Sequence, residues 1–182
     1  MKIFLIRHGE SEANIAHIIN DDPLRPVSLT PRGRAQAEAA AGRLRDVPFT
    51  QAYASEFLRA KQTAEILLRH HACPLLIDAR LNERHTGMDG LPVELFVEAV
   101  RPDPLRVKPT GGESFVEQME RLRSFLDEIA ARHPAGVVLA ASHENPILAA
   151  QALTTADPEQ FARGAIANCE WVELEWAASG LR

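Results

Sequence analysis

Residues 3–6, Ile-Phe-Leu-Ile, form an unbroken apolar run, the pattern of a strand buried on both faces inside a parallel sheet. A second such run covers 136–141, and shorter strand-like stretches occupy 50–55 and 75–77. Helical patterns alternate with them. Thr30-Pro31 places an N-cap threonine and a first-position proline ahead of an alanine-rich run over 32–45. Over 56–69 the apolar positions Phe57, Ala60, Ala64, Leu67 and Leu68 recur at helical spacing. Ser114 and Glu117 form a capping box that opens a helix with Phe115, Met119, Leu122, Leu126 and Ile129 along one face. A further helix is predicted after Pro146, and Asp157-Pro158 marks another start. Val172, Leu174 and Trp176 alternate with Glu173 and Glu175, as in an antiparallel strand with one wet face. Over 88–110 the pattern weakens, and Pro92, Pro102, Pro104 and Pro109 predict only a helical turn and a connecting loop.

Strands alternating with helices imply an α/β sandwich with a mostly parallel sheet. The 182 residues suit one domain, 1–182, with a real core. With 46% hydrophobic and 25% charged residues, the chain has the composition of a water-soluble globular protein. A net charge of −5 argues against a nucleic-acid partner held by an overall basic field, so any anion site must be local. Cys73 and Cys169 lie far apart without zinc-knuckle spacing and are expected as reduced, buried thiols. The N-terminal apolar run is too short for a signal peptide and no run approaches the roughly 20 apolar residues of a membrane helix. No membrane partner is expected, and the cytoplasm is the default location.

In open α/β sheets, ligands bind outside the carboxyl ends of the strands. Here each end carries titratable or charged groups: Arg7-His8, then Ser55 with Arg59 shortly after, then Glu83 in the stretch after 75–77, then Ser142-His143. Two arginines offer planar donor forks for phosphoryl oxygens. One imidazole can attack phosphorus, a second can stabilise developing charge, and a carboxylic acid can protonate the departing oxygen. Gly9 would allow a sharp turn and a close approach of backbone to an anion. The set describes phosphoryl transfer without a metal or other cofactor.

The stretches LIRHGESEAN (5–14), LTPRGRAQA (29–37), YASEFLRAKQTAEIL (53–67), LNERHTGMDGL (81–91), GGES (111–114) and ASHENPI (141–147) occur in the order found in one family. On them the chain resembles the histidine phosphatase superfamily, the phosphoglycerate mutase-like fold, which is a three-layer α/β/α sandwich. The resemblance implies that His8 becomes a phosphohistidine and that Arg7, Arg59 and His143 bind the phosphoryl group. Asn14 would reach its oxygens, with Ser11 in the same stretch. Glu83 would serve as general acid and then as the base that activates water. Asn20 and Asp21 correspond to a substrate-contacting loop. Three positions depart from the pattern. Glu144, counted with the substrate-binding residues, replaces the glycine usual after the second histidine and puts a carboxylate near an anion site, there either to point away or to favour a cationic group of the substrate. Thr86 stands where mutases of the fold carry an aromatic residue. The long basic substrate insertion of those mutases shrinks to the proline-rich stretch 101–109.

Plainer readings stand beside these. Arg59 alone would be a solvated helix charge, and Glu83 the partner of Arg84 in a surface ion pair. His70, His71, Cys73 and His85 match no standard zinc spacing. His17 and His133 read as surface residues, and Trp171 and Trp176 as packing. The expectation is a metal-independent phosphoric monoester hydrolase of the histidine acid phosphatase type, acting on a small phosphorylated metabolite. A mutase and a non-catalytic phospho-ligand binder are the alternatives. Loops 15–28 and 84–110 carry no code for a particular sugar, nucleotide or peptide, and the pattern sets no oligomeric state.

Overall fold

Strand β1 (Lys2–Arg7) lies inside a five-stranded sheet with β2 (Gln51–Ala54), β3 (Leu75–Ile77), β4 (Val137–Ser142) and β5 (Trp171–Glu175) in the spatial order β3-β2-β4-β1-β5. This arrangement comes from a computed structural model that describes residues 1–178. All pairings are parallel except β1 with β5, which runs antiparallel, with Ile3 opposite Leu174. The apolar runs predicted as central strands are central because both of their faces are covered. Phe4 and Ile6 pack with Leu139 and Ala141 under α2 (Pro31–Leu44) and α3 (Leu58–Leu67). Ile3 and Leu5 pack with Val138 and Ala140 under α5 (Phe115–Arg132) and α6 (Glu144–Ala152). Two helical layers thus enclose one sheet, as the alternation of elements implied.

Capping chemistry marks the starts of α2 and α5 where the sequence placed them, whereas α6 begins at Glu144 and not after Pro146. The Thr30 hydroxyl accepts from the Gly33 amide at 2.9 Å, and Ser114 and Glu117 complete their reciprocal box. On β5, Val172 and Leu174 are half-buried while Glu173 and Glu175 are exposed, and Trp176 follows onto the same core with its indole donating to Asp127.

Three other expectations need correction. The stretch after residue 88 holds a two-turn helix, α4 (Val93–Val100), because Pro92 sits at its N-cap, where a missing amide costs nothing. Asp157 does not cap the next helix; Pro158 is the N-cap of the single turn α7 (Glu159–Ala162). Cys73 is only half-buried, whereas Cys169 is buried. A short helix, α1 (Glu12–Ala16), follows the first strand and owes its start to Ser11 and Asn14 rather than to any apolar period.

The turn after β1 is clamped against the start of α2. A Cβ on Gly9 would lie 2.3 Å from the Gly33 carbonyl oxygen, and one on Gly33 would lie 2.0 Å from that of Glu10. Gly9 therefore serves a close backbone crossing and does not open its amide to an anion, since that amide donates to Thr63 Oγ1 at 3.1 Å. Gly33→Ala is expected to lower stability by roughly 3 kcal/mol through overpacking. Gly42→Ala, on the same helix with open space around its Cβ position, is expected to raise it by about 0.5–1 kcal/mol. Denaturant midpoints of the two variants check the pair.

Candidate active site

Because β4 pairs with both β1 and β2, three carboxyl ends lie side by side, with Arg7 opposite Ser142 in the register. The residues just beyond them are therefore neighbours. The His8 and His143 rings stand 5.1 Å apart edge to face, and both are buried. Arg59, 4% exposed, reaches between them from the first turn of α3. Its Nε donates to His8 Nε2 at 3.0 Å, and its Nη2 lies 3.2 Å from His143 Nδ1. Nη1 also donates to the Asn20 side-chain oxygen and Nη2 to the Asn20 carbonyl at 3.1 Å. The guanidinium lies over the Phe57 ring at 4.4 Å. A solvated helix charge is thus excluded as the role of Arg59.

The hydrogen bonds select the tautomers. His8 Nδ1 lies 2.7 Å from the Gly9 carbonyl, which can only accept, so Nδ1 carries the proton and Nε2 keeps its lone pair. Desolvation, and then the charge of Arg59, hold the His8 pKa well below the ordinary imidazole value. The same two causes act in the same order on His143, whose Nε2 bonds the Ser55 hydroxyl at 2.8 Å. Both rings are neutral at neutral pH. Burial also brings the Arg59 pKa down to about 10, which leaves the guanidinium charged.

Glu83 keeps partial access to solvent through the cavity, yet desolvation dominates and raises its pKa above the usual carboxyl range. Its Oε1 accepts from the Arg84 backbone amide at 2.8 Å. No Glu83–Arg84 ion pair forms. The Arg84 guanidinium turns away to the carbonyls of Glu113 and Val107 and to the Phe96 ring. The Glu83 loop is fastened to the sheet ends by Ser142 Oγ on the Leu81 carbonyl at 2.7 Å and by a two-way Asn82–Glu56 contact.

Arg7, His8, Ser11, Asn14, Asn20, Arg59, Glu83 and Glu144 all line one cavity of 380 Å³. Asp21 does not. Its carboxylate turns the other way and accepts from the Thr86 amide, the Thr86 hydroxyl at 2.8 Å and the Gly87 amide at 3.1 Å, so it fixes the loop after Glu83. Ser11 and Asn14 spend much of their polarity on each other in a capping box. Asn20 reaches the cavity chiefly as the acceptor for Arg59. Glu144 Oε1 accepts from Arg7 Nη1 at 3.0 Å and from the Ile166 amide at 3.1 Å, so its carboxylate points toward the site.

Several contributors carried no signal in the sequence. Asn168 lines the cavity and donates to the His8 carbonyl at 2.9 Å. Thr63 joins the Gly9 amide to the Arg59 carbonyl. His17, read as a surface residue, stands exposed at the cavity mouth in a left-handed conformation. Ala13, Ile18, Ile19, Val93 and Phe96 give the cavity an apolar side.

The arrangement holds Arg7 and Arg59, an imidazole whose unprotonated nitrogen accepts from Arg59, and a carboxyl biased toward its acid form around one space. That is the equipment for moving a phosphoryl group. Known proteins share the frame. A protein of Gloeobacter violaceus named 2,3-bisphosphoglycerate-dependent phosphoglycerate mutase 2 is 33% identical, with 98% of this chain and 87% of that protein covered. The adenosylcobalamin/alpha-ribazole phosphatase of Salmonella typhimurium is 31% identical over 85% of this chain and 80% of its own length. Among solved structures, a mycobacterial glucosyl-3-phosphoglycerate phosphatase in complex with VO3 superposes with a TM-score of 0.84 at 26% identity, covering 96% of this chain and 90% of that one. The family profile of the histidine phosphatase superfamily (branch 1) matches residues 3–182, and to that superfamily the chain belongs.

Proposed function

We propose that the chain is a phosphomonoesterase that hydrolyses a small phosphorylated metabolite through a phosphohistidine on His8. The observation that carries this reading is the His8 ring, held neutral with its Nδ1 proton on Gly9 and its Nε2 lone pair beside Arg59 in the cavity. Nε2 attacks phosphorus as Arg59 shifts its donor from the ring to a phosphoryl oxygen. The phosphorus–oxygen bond to the alcohol breaks, and Glu83 gives its proton to the departing oxygen. The Glu83 carboxylate then takes a proton from water, whose oxygen displaces His8 and releases inorganic phosphate. Arg7 and Arg59 stabilise the charge on the phosphoryl oxygens throughout, while His143, buried behind His8 with Nδ1 on Arg59 and Nε2 on Ser55, holds the Arg59 guanidinium in place. Every step uses side chains of this protein, and none needs a metal ion.

A mutase reading draws support from the Gloeobacter relative. Against it, Thr86 is buried with its hydroxyl spent on Asp21, where mutases of the fold place an aromatic residue. Interconversion of phosphoglycerates with little phosphate release would favour the mutase.

Native protein is expected to release phosphate from a panel of phosphomonoesters in the presence of chelator, and His8→Ala to release none. Turnover by His8→Ala, or loss of native turnover with chelator, overturns the reading.

The pH dependence follows from the two shifts. His8, lowered from 6.5, stays unprotonated on the acid side of neutrality, and Glu83, raised from 4.5, stays protonated above the ordinary carboxyl range. Turnover is therefore expected to be displaced toward mildly acidic pH and to fall as pH rises through the Glu83 value. Glu83→Gln should lower the rate on alkyl phosphates by about 10²–10⁴-fold, and far less on p-nitrophenyl phosphate, whose leaving group needs no proton. A folded-state pKa above the unfolded one stabilises at low pH, and that contribution disappears as pH rises through the folded value. At neutral pH, Glu83→Gln should accordingly melt higher than the native protein, while losing turnover.

A further inference from the structure

Arg7 does not present its whole guanidinium to the cavity. Nη1 is taken: it donates to Glu144 Oε1 at 3.0 Å and to the Ile166 carbonyl, while the Ile166 amide donates back to the same Glu144 oxygen at 3.1 Å. Nε is buried and has no partner among the described residues. Buried donors without partners are rare in folded proteins and mark a place where an absent group belongs. The edge of Arg7 next to Nε is thus the one left for an anion, and the Glu144–Ile166 clamp sets its direction.

Glu144 also brings a charge. Its side chain is 29% exposed, it lines the cavity, and only one of its two oxygens has a hydrogen-bond partner among the described residues. The groups lining the same space are the cations Arg7, Arg59 and Arg84, the acids Glu83 and Glu94, and the imidazoles of His8 and His17, with His143 packed behind His8. Of the acids nearest the arginines, Glu83 is biased toward its neutral form, and the Glu144 charge adds to that bias. A dianion entering the site meets an Arg7 that a carboxylate already offsets.

We propose that Glu144 is a positioning residue with a second, opposing effect: it stays on Arg7 when phosphate is bound, aims the free Nε edge at the phosphoryl group, and by its charge weakens the hold on that group. The outcome is a site that orients a phosphoryl dianion yet releases inorganic phosphate readily, which favours hydrolysis with product departure over phosphoryl retention. The proposal rests on the phosphomonoesterase reading for the place of the phosphoryl group.

Its test does not depend on turnover. Inorganic phosphate is titrated calorimetrically at neutral pH with chelator present into native protein, Glu144→Gln and Glu144→Ala, with melting curves confirming that each is folded. The glutamine keeps an oxygen for Arg7 and Ile166 but removes the charge, so it should bind phosphate about tenfold more tightly than native protein. The alanine removes the clamp as well and should bind severalfold more weakly than the glutamine variant. A residue that merely supported the fold would only weaken binding in both. With substrate, Glu144→Gln should show a lower KM and stronger inhibition by product phosphate. Phosphate binding by Glu144→Gln equal to or weaker than native overturns the opposing charge. Equal binding by the two variants overturns the clamp, and no binding by any of the three overturns both. Tight phosphate binding with no native turnover would instead sink the phosphomonoesterase reading and leave the Glu144 comparison readable.

Discussion

The candidate site is organised by one buried cation. Arg59 is almost wholly enclosed, and a buried guanidinium is tolerated only where its donors are matched and its charge is used. Here the matches are His8 Nε2, His143 Nδ1, the two oxygens of Asn20 and the face of Phe57. Each partner is itself constrained by that contact. The two imidazoles must offer lone pairs to Arg59, which forces their protons to the far nitrogens, onto Gly9 and Ser55. Asn20 must keep its oxygens inward, which draws the chain before Asp21 over the site. Substitution of Arg59 would thus disturb tautomers and a loop path as well as a charge.

The sheet supplies what Arg59 alone could not. Two histidines 135 positions apart become neighbours because β1 and β4 pair in register up to Arg7 and Ser142. The Glu83 loop has no strand to fix it at the cavity, and it is held by cross-ties instead, with Ser142 on Leu81, Asn82 on Glu56, and Asp21 on Thr86 and Gly87. Polar groups anchored in this way before any ligand arrives need little rearrangement when charge develops, which is the physical content of preorganisation.

Which parts were legible in the sequence follows from the range of the forces involved. The central strands could be read from 3–6 and 136–141 because burial on both faces excludes polar residues. The starts at Thr30-Pro31 and Ser114 could be read because capping is settled within four residues. His8, Arg59 and His143 were legible only as an ordered set of motifs shared with one family, since each taken alone reads as well as a structural residue. What escaped depends on partners distant in the chain. Nothing in Gly9 announces Gly33, nothing in Asp21 announces Thr86, and Asn168 and Thr63 matter only because of what folds against them. Pro92 misled for a different reason: a proline reads as a breaker, yet at an N-cap it opens α4.

Burial explains the chemistry of the cavity more economically than any particular contact. Desolvation is the first cause of the depressed His8 and His143 pKa values and also of the raised Glu83 value, because it disfavours whichever form of a group is charged. One physical condition therefore biases an imidazole and a carboxylic acid toward their neutral forms together, the pair that nucleophilic attack and leaving-group protonation require. The arginines escape neutralisation, since even a pKa lowered to about 10 leaves Arg59 charged at neutral pH. The result is a pocket whose standing positive charge comes from guanidinium groups alone, within a chain of net charge −5. An anion entering this cavity would meet a few fixed donors at the strand ends and not the field of the whole protein, and on the reading proposed above the Glu144 carboxylate, placed on one of those donors, would temper its hold.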